Sequence, residues 1–167
     1  MVTERTKIRV AFATAADVPL ILTMIRDLAE YERMSDEVVA TEDGLREVLF
    51  GTRPDAEVLI AYADEQPAGF ALFFHNFSTF LGTRGLYLED LFVKPAFRGL
   101  GLGKRLLIEL AKLAVERKCG RFEWSVLDWN EPAIGFYKKL GAVPMHDWTI
   151  FRVSGQTLQQ LAQTPPA

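Results

Sequence analysis

The stretch LYLEDLFVKPAFRGLGLG, residues 86–103, decides the fold of this chain. Its first half, Leu86–Val93, is an apolar run interrupted by two carboxylates, which predicts a largely buried strand. Its second half has glycine at alternate positions and leads into a helix with an apolar repeat of three and four residues, formed by Leu106, Leu107, Leu110, Leu113 and Ala114. The chain therefore passes from a strand through a glycine loop into an amphipathic helix.

The glycine loop is predicted to bind an anion. The first backbone N–H groups of a helix have no helical partner, and the helix dipole is positive at that end. Glycine lets an anion approach these amides closely, and nearby cations add local charge. We therefore expect a phosphate site formed by Arg98, Gly99, Leu100, Gly101, Leu102, Gly103 and Lys104.

Two familiar phosphate loops do not fit this spacing. A P-loop would require glycine at position 98 and Ser or Thr at 105, and both positions are Arg. A dinucleotide fingerprint read from Gly99 would require a small residue at 104, which is Lys. The alternative without a ligand is a turn that only starts the helix, but three glycines within five residues favour the anion site.

Strand and helix signals follow one another along the rest of the chain. Apolar runs predict strands at Ile8–Phe12, Glu57–Ala63, Ala68–Phe77, Leu86–Val93, Arg121–Leu127 and Thr149–Val153. Capping residues and helical periodicity predict helices from Thr14 to about Arg33, from Thr41 to Phe50, from Gly103 to Gly120, from Asn130 to Gly141 and after Ser154. The short connection 64–67 predicts an antiparallel hairpin. This order predicts an α/β (α+β) fold with a mixed sheet and helices on both faces.

Length and composition limit the class of protein. The 167 residues predict a single domain, 1–167, with its core at about 8–153 and a disordered tail at 163–167. A net charge of −3 gives no bulk positive field for nucleic acid, and no apolar run approaches the length of a membrane span. One cysteine, Cys119, excludes an internal disulfide and, with two histidines, cannot form a structural zinc cage. We expect a cytoplasmic protein without a metal, nucleic-acid or membrane partner.

Three segments together resemble one enzyme family. Leu88–Val93, the loop Arg98–Gly103 and Trp129–Gly141 are similar to the GNAT N-acetyltransferases, in particular to the diamine (spermidine/spermine-type) acetyltransferases. The resemblance extends from Ile8 to about Val153 and includes residues 13–17 and 28–34, which a generic acetyl-CoA binder would not require. It implies the GNAT fold, with a mostly antiparallel twisted sheet, and acetyl-CoA as co-substrate.

The resemblance also implies roles for individual residues. The pyrophosphate of acetyl-CoA would lie on the amides of Gly99 to Lys104, and Asn130 would touch the cofactor. Tyr31 and Glu32 would bind the amine, close to the boundary of a homodimer. The alternative for these two residues is a solvated helix end. The pantetheine would pair with the backbone of Leu91, Phe92 and Val93.

Acetyl transfer to an amine needs a base, because an alkylamine is almost entirely ammonium at neutral pH. Glu89 is the predicted base, and Asp90 beside it is a candidate for binding a cationic substrate. Carboxylates among apolar residues are costly unless a cation or hydrogen bonds offset their burial. For either residue, and more so for Asp90, the alternative is a bond to a backbone amide or a nearby Arg. Both can reach one cleft only if the strand is distorted, and the resemblance places a bulge here.

Tyr137 is the predicted acid, which would stabilise the leaving thiolate by a hydrogen bond. The alternative is a tyrosine that packs beside Phe136. Two departures from the polyamine enzymes weigh against a long polyamine substrate: Phe80, where those enzymes tend to carry Trp, and the additional positive charge of Arg84.

Alternatives remain for the function. The same chemistry could act on a thialysine-like, other amino-acid, aminoglycoside or protein lysine amine. A non-catalytic acyl-CoA sensor is disfavoured because Glu89 and Tyr137 are both present, and a nucleotide-dependent enzyme is disfavoured by the glycine spacing. The sequence thus predicts a transfer of acetyl from acetyl-CoA to a primary amine of a small cationic molecule.

Overall fold

The computed structural model describes residues 6–165 of the chain. Its contacts divide the chain into two compact units, 1–125 and 126–167, and each unit is described by itself below. The predicted single domain, which spans both units, stays a prediction.

The first unit is built on a five-stranded sheet in the order β1-β2-β3-β4-β5. The strands are β1 (Ile8–Phe12), β2 (Glu57–Ala63), β3 (Gln66–Ser78), β4 (Thr83–Val93) and β5 (Phe122–Trp124). The first four pair antiparallel, and β5 pairs parallel to β4. The mixed, mostly antiparallel sheet and the hairpin of β2 and β3 are confirmed.

Helices cover both faces of this sheet. α1 (Val18–Tyr31) and α2 (Glu42–Phe50) pack against one set of alternate strand residues, which includes Val58, Ile60, Phe70 and Phe92. α3 (Leu102–Glu116) contacts β1 to β4 and buries a row of residues: Leu102, Leu106, Leu107, Leu110 and Ala114. Successive strand residues point to opposite faces, so the other buried set, including Leu59, Phe73 and Leu88, faces α3.

β5 and α3 of this unit end earlier than predicted. β5 is shorter than the predicted strand Arg121–Leu127, because its ladder with β4 stops at Leu88, directly before an irregularity in β4. α3 ends at Glu116 rather than at Gly120, because Lys118 adopts a left-handed conformation (φ 57°) and Cys119 N–H closes the helix on the carbonyl of Ala114 at 2.8 Å.

The second unit contains two helices, α4 (Glu131–Lys139) and α5 (Gly155–Gln163). The predicted strand Thr149–Val153 is wrong: these residues form no strand, and Phe151 is 91% exposed. An alternating pattern becomes a strand only where a neighbouring strand completes its hydrogen bonds, which is why the pattern alone failed. Of the predicted tail, Gln163 ends α5, and residues 166–167 lie outside the described range, as do residues 1–5.

Within residues 6–165, no helix combines the length and the apolar character needed to cross a bilayer.

Candidate active site

The glycine loop precedes α3 in a conformation that requires glycine. Gly99 and Gly101 have φ of 82° and 84°, in the left-handed region that side chains with a Cβ disfavour. Apart from each glycine and its chain neighbours, no atom of residues 6–165 lies within 4 Å of the position that a Cβ would take at either residue. Glycine is therefore needed here for the backbone path, and space above the loop is left open.

The start of α3 is suited to an anion. Gly101 occupies the N-cap position and has no side-chain cap, so the first amides of the helix are left for another acceptor. Leu102 is buried and anchors the helix start in the core, while Leu100 and Lys104 are exposed. The residues predicted for the phosphate site thus form one continuous loop and helix start. Most of them can bind a phosphate only through their backbone amides.

The second half of β4 has an open edge. β4 pairs with β5 only over Leu86–Leu88, although β4 continues to Val93. Among residues 6–165, no strand pairs with Leu91–Val93 on the β5 side. Lys94 N–H bonds to the carbonyl of Ala68 on β3, so by alternation the backbone groups of Phe92 also point toward β3, whereas those of Leu91 and Val93 point to the open edge. This edge fits the predicted pairing with the amides of pantetheine at Leu91 and Val93, but not at Phe92.

A bulge in β4 lies at Glu89. Leu72 of β3 pairs with Asp90 and Phe73 pairs with Leu88, so Glu89 is the extra residue without a partner on β3. The bulge separates the environments of the two carboxylates: Glu89 is exposed, whereas Asp90 is partly buried. The predicted burial of both among apolar neighbours is thus correct only for Asp90.

Three carboxylates gather at this bulge. Burial, followed by repulsion from Glu89 and Glu32, raises the pKa of Asp90 to about 6 from an ordinary value of 3.8. Burial also raises the pKa of Glu32, at the C-terminal end of α1. None of the three carboxylates makes an ion pair with a residue in the described part of the chain.

Arg98 joins the loop to the end of α1. Its Nε donates a hydrogen bond to the carbonyl of Val93 at 3.0 Å. Its guanidinium carbon lies 4.6 Å from the ring centroid of Tyr31 and 5.9 Å from that of Phe92. Sequence reasoning assigned Arg98 to a phosphate and missed its contact with Tyr31, since no local pattern connects residues so distant in the chain. Tyr31, Glu32, Glu89, Asp90 and Arg98 all belong to the first unit.

The second unit holds the two remaining predicted residues on α4. The Oδ1 of Asn130 accepts a hydrogen bond from the N–H of Ala133 at 3.3 Å and so caps the helix. The side-chain nitrogen Nδ2 of Asn130 would be the group that donates a hydrogen bond to a cofactor. Tyr137 lies two turns further along α4, with its ring centroid 5.5 Å from that of Phe136. This packing agrees with the structural alternative for Tyr137, and the catalytic role stays a prediction.

Comparisons with known proteins agree with this arrangement. A thialysine N-epsilon-acetyltransferase of Sus scrofa is 40% identical over 161 residues, which cover 90% of this chain and 94% of that protein. The spermidine/spermine N(1)-acetyltransferase-like protein 1 of Homo sapiens is 32% identical over 92% of this chain, which corresponds to 24% of that longer protein. Both relatives agree with the predicted resemblance to the diamine-type acetyltransferases.

The fold and the family pattern lead to the same conclusion. A solved integron cassette protein from V. cholerae superposes with a TM-score of 0.80 at 25% identity, covering 94% of this chain and 98% of that one. The pattern of the acetyltransferase (GNAT) family matches residues 23–142, which include the acidic bulge, the glycine loop and all of α4. The chain therefore belongs to the GNAT acetyltransferase family and is an N-acetyltransferase.

Proposed function

We propose that this enzyme transfers the acetyl group of acetyl-CoA directly to a primary amine of a small acceptor that carries a second positive charge. The observation that supports this most strongly is the group of three carboxylates, Glu32, Glu89 and Asp90, none of which has an ion-pair partner among residues 6–165. Repulsion within the group and partial burial disfavour its charge, and a bound ammonium would relieve both effects.

The first unit supplies binding and the base. The uncapped start of α3 would hold the pyrophosphate, and the open edge of β4 would hold the amides of pantetheine. Glu89, exposed at the bulge, would accept a proton from the acceptor's ammonium group and so give the neutral amine that attacks. Asp90 and Glu32 would hold the second positive charge of the acceptor. When bound, acetyl-CoA supplies a thioester whose carbonyl carbon the neutral amine can attack.

Tyr137 is the proposed acid that assists the leaving group. The neutral amine would add to the thioester carbonyl carbon, after which the C–S bond breaks and sulfur takes the bonding electron pair as a thiolate. The second proton, which the nitrogen loses as the amide forms, would pass to the departing thiolate or to solvent. The phenol of Tyr137 would donate a hydrogen bond to that sulfur. With a phenol pKa near ~10 and a thiol near ~8.5, hydrogen-bond stabilisation is a more plausible role than complete proton transfer.

A diamino acid of the thialysine type is a second candidate acceptor. The relative that acts on thialysine is matched over nearly its whole length, unlike the spermidine/spermine-like protein. Phe80 and the positive charge of Arg84 also weigh against a long polyamine. Such an acceptor still offers two amines to the acidic group and adds a carboxylate.

We also infer a homodimer. The end of β3 and the turn that follows it carry three exposed apolar residues, Phe77, Phe80 and Leu81, with Phe80 97% exposed. A second copy of this chain would bury them. The half-buried single thiol of Cys119 and the net charge of −3 support a cytoplasmic enzyme without a nucleic-acid partner.

An acceptor panel tests the proposal. Purified enzyme is incubated with acetyl-CoA and either putrescine, spermidine, thialysine, lysine, an aminoglycoside or a lysine peptide, with thiol release and product mass as readouts. We expect turnover with the small diamines or diamino acids. Turnover with the peptide alone, or CoA binding without turnover of any amine, would contradict the proposal.

Two variants test the assigned roles. Glu89→Gln and Tyr137→Phe should each lower kcat by about a hundredfold or more while CoA affinity stays unchanged. Their matched controls are Glu47→Gln, an exposed carboxylate on α2, and Tyr62→Phe on β2. If Glu89→Gln were as active as the Glu47→Gln control, the base would have to be reassigned.

A further inference from the structure

The side chain of Arg98 is exposed, but it folds back from the glycine loop onto the sheet. It contacts the end of β4 through Val93, and its guanidinium lies over the rings of Tyr31 on α1 and Phe92 on β4. Three elements therefore meet at one guanidinium: the loop that begins the cofactor site, the strand edge that continues it, and the helix end that carries Glu32.

This contact depends on the shape of the guanidinium as well as on its charge. The hydrogen bond from Nε to the Val93 carbonyl sets the orientation of the plane, and the 4.6 Å distance to the Tyr31 ring is within the range of a cation–π interaction. A lysine at this position would keep the charge but could not offer a planar group to the ring while donating from Nε.

Tyr31 is directly followed by Glu32, whose carboxylate is close enough to raise the pKa of Asp90. Because the two residues are adjacent, the position of the Tyr31 ring affects the position of Glu32 within the acidic group, which consists of Glu32, Glu89 and Asp90. We propose that Arg98 is a positioning residue for the amine acceptor, which it serves by holding Tyr31 and the end of α1 against β4. The proposal rests on the proposed function, since it takes the acidic group as the acceptor site.

The variant Arg98→Lys distinguishes a positioning role from direct binding of a phosphate, because the two roles lead to opposite expected results. If Arg98 positions Tyr31, this variant should raise the KM for the amine about tenfold, while calorimetric affinity for CoA changes by less than about threefold. If Arg98 serves only as a phosphate ligand, CoA affinity should fall and the KM for the amine should stay the same. The latter result would overturn the proposal.

A double-mutant cycle with Tyr31 separates positioning from general damage. Tyr31→Phe keeps the ring, so Arg98→Lys should still raise the KM for the amine about tenfold in that background. Tyr31→Leu removes the ring, so Arg98→Lys should have little further effect there. Equal effects of Arg98→Lys in both backgrounds would show that the ring contact is irrelevant and would overturn the proposal.

Arg9→Lys is the matched control, because Arg9 also lies over a tyrosine ring, 4.0 Å from the centroid of Tyr62, on an edge strand without an assigned role. It should leave both affinities unchanged.

A second readout is calorimetric binding of the amine to the enzyme–CoA complex, which should weaken in Arg98→Lys. If the wild type acetylates amines but Arg98→Lys leaves amine binding unaltered, only this inference fails; if the wild type acetylates none, the proposed function fails and the inference fails with it.

Discussion

Glu89 and Asp90 are adjacent in sequence but differ in environment. Asp90 is partly buried and has a raised pKa, whereas Glu89 is exposed at the bulge. The sequence shows two carboxylates inside an apolar run, and that is enough to mark them as candidates. Which of the two carboxylates is shielded from solvent depends on the register of β3 and β4, because the bulge changes the direction of the backbone between the two residues. Composition and spacing do not contain that information.

The buried charge of Asp90 should destabilise the native state at neutral pH. A carboxyl whose pKa is higher in the folded protein binds its proton more tightly there, so stability falls as pH rises from about 4 to about 6 and stays lower above that range. Asp90→Asn should therefore raise the free energy of unfolding by about 2 kcal/mol at pH 7.5 and by almost nothing near pH 4. Urea denaturation at both pH values, with Glu47→Gln as control, measures this. A destabilised Asp90→Asn at pH 7.5 would contradict the environment described for this residue.

The same carboxylate should make acceptor binding depend on pH. Protonation of Asp90 below pH 6 removes one negative charge from the proposed ammonium site, so the KM for the amine should rise as pH falls through about 6. Steady-state kinetics between pH 5 and pH 8 at saturating acetyl-CoA would detect it. In Asp90→Asn, the KM for the amine should be high at every pH and should show no change near pH 6. An unchanged transition in that variant would assign it to another group.

At the scale of elements, the strand, glycine loop and α3 were predictable because each carries a strong local signal. The strand Thr149–Val153 and the length of β5 were not, because both depend on whether a partner strand is present. The contact of Arg98 with Tyr31 was missed for a similar reason: it joins α1 to the loop only after the sheet has brought them together. Local patterns therefore predicted the strand, glycine loop and helix better than they predicted contacts between residues that are distant in the sequence.

The backbone path of the loop should be essential for CoA binding. Gly101→Ala places a Cβ on a left-handed residue at the start of α3, which costs about 1–2 kcal/mol and favours a different loop path. We expect CoA affinity to fall roughly tenfold or more, as a loss of at least 1.4 kcal/mol would give. Gly82→Ala is the matched control, since Gly82 also has a left-handed φ (64°) with open space around it, in the turn between β3 and β4. Equal CoA affinities in the two variants would argue against the loop as the binding site.

At the scale of the whole molecule, the mixed sheet, the helices on both faces and the family were predictable from the sequence, whereas the strand order was not predicted. Oligomeric state is a property of surfaces, which a strand and helix pattern does not reveal. The exposed apolar residues Phe77, Phe80 and Leu81 are the observation that bears on it.

The enzyme should sediment as a dimer, at twice 18.8 kDa. Phe80→Asp should shift it toward the monomer, because a charge at the centre of this exposed patch would be buried in the contact. Sedimentation equilibrium at several protein concentrations measures both. A wild-type monomer at every concentration would contradict the dimer, and a dimer that Phe80→Asp leaves intact would place its interface elsewhere.

The central claim is that backbone amides at the start of α3 hold acetyl-CoA beside the acidic bulge of β4. Amide hydrogen exchange with and without saturating CoA tests it most directly, since it reports on those N–H groups individually. The account predicts slower exchange from Gly99 to Lys104 and at Leu91 and Val93 when CoA is bound, with little change in β1 and α2. Tight CoA binding that leaves the amides of Gly99 to Lys104 unprotected would contradict it.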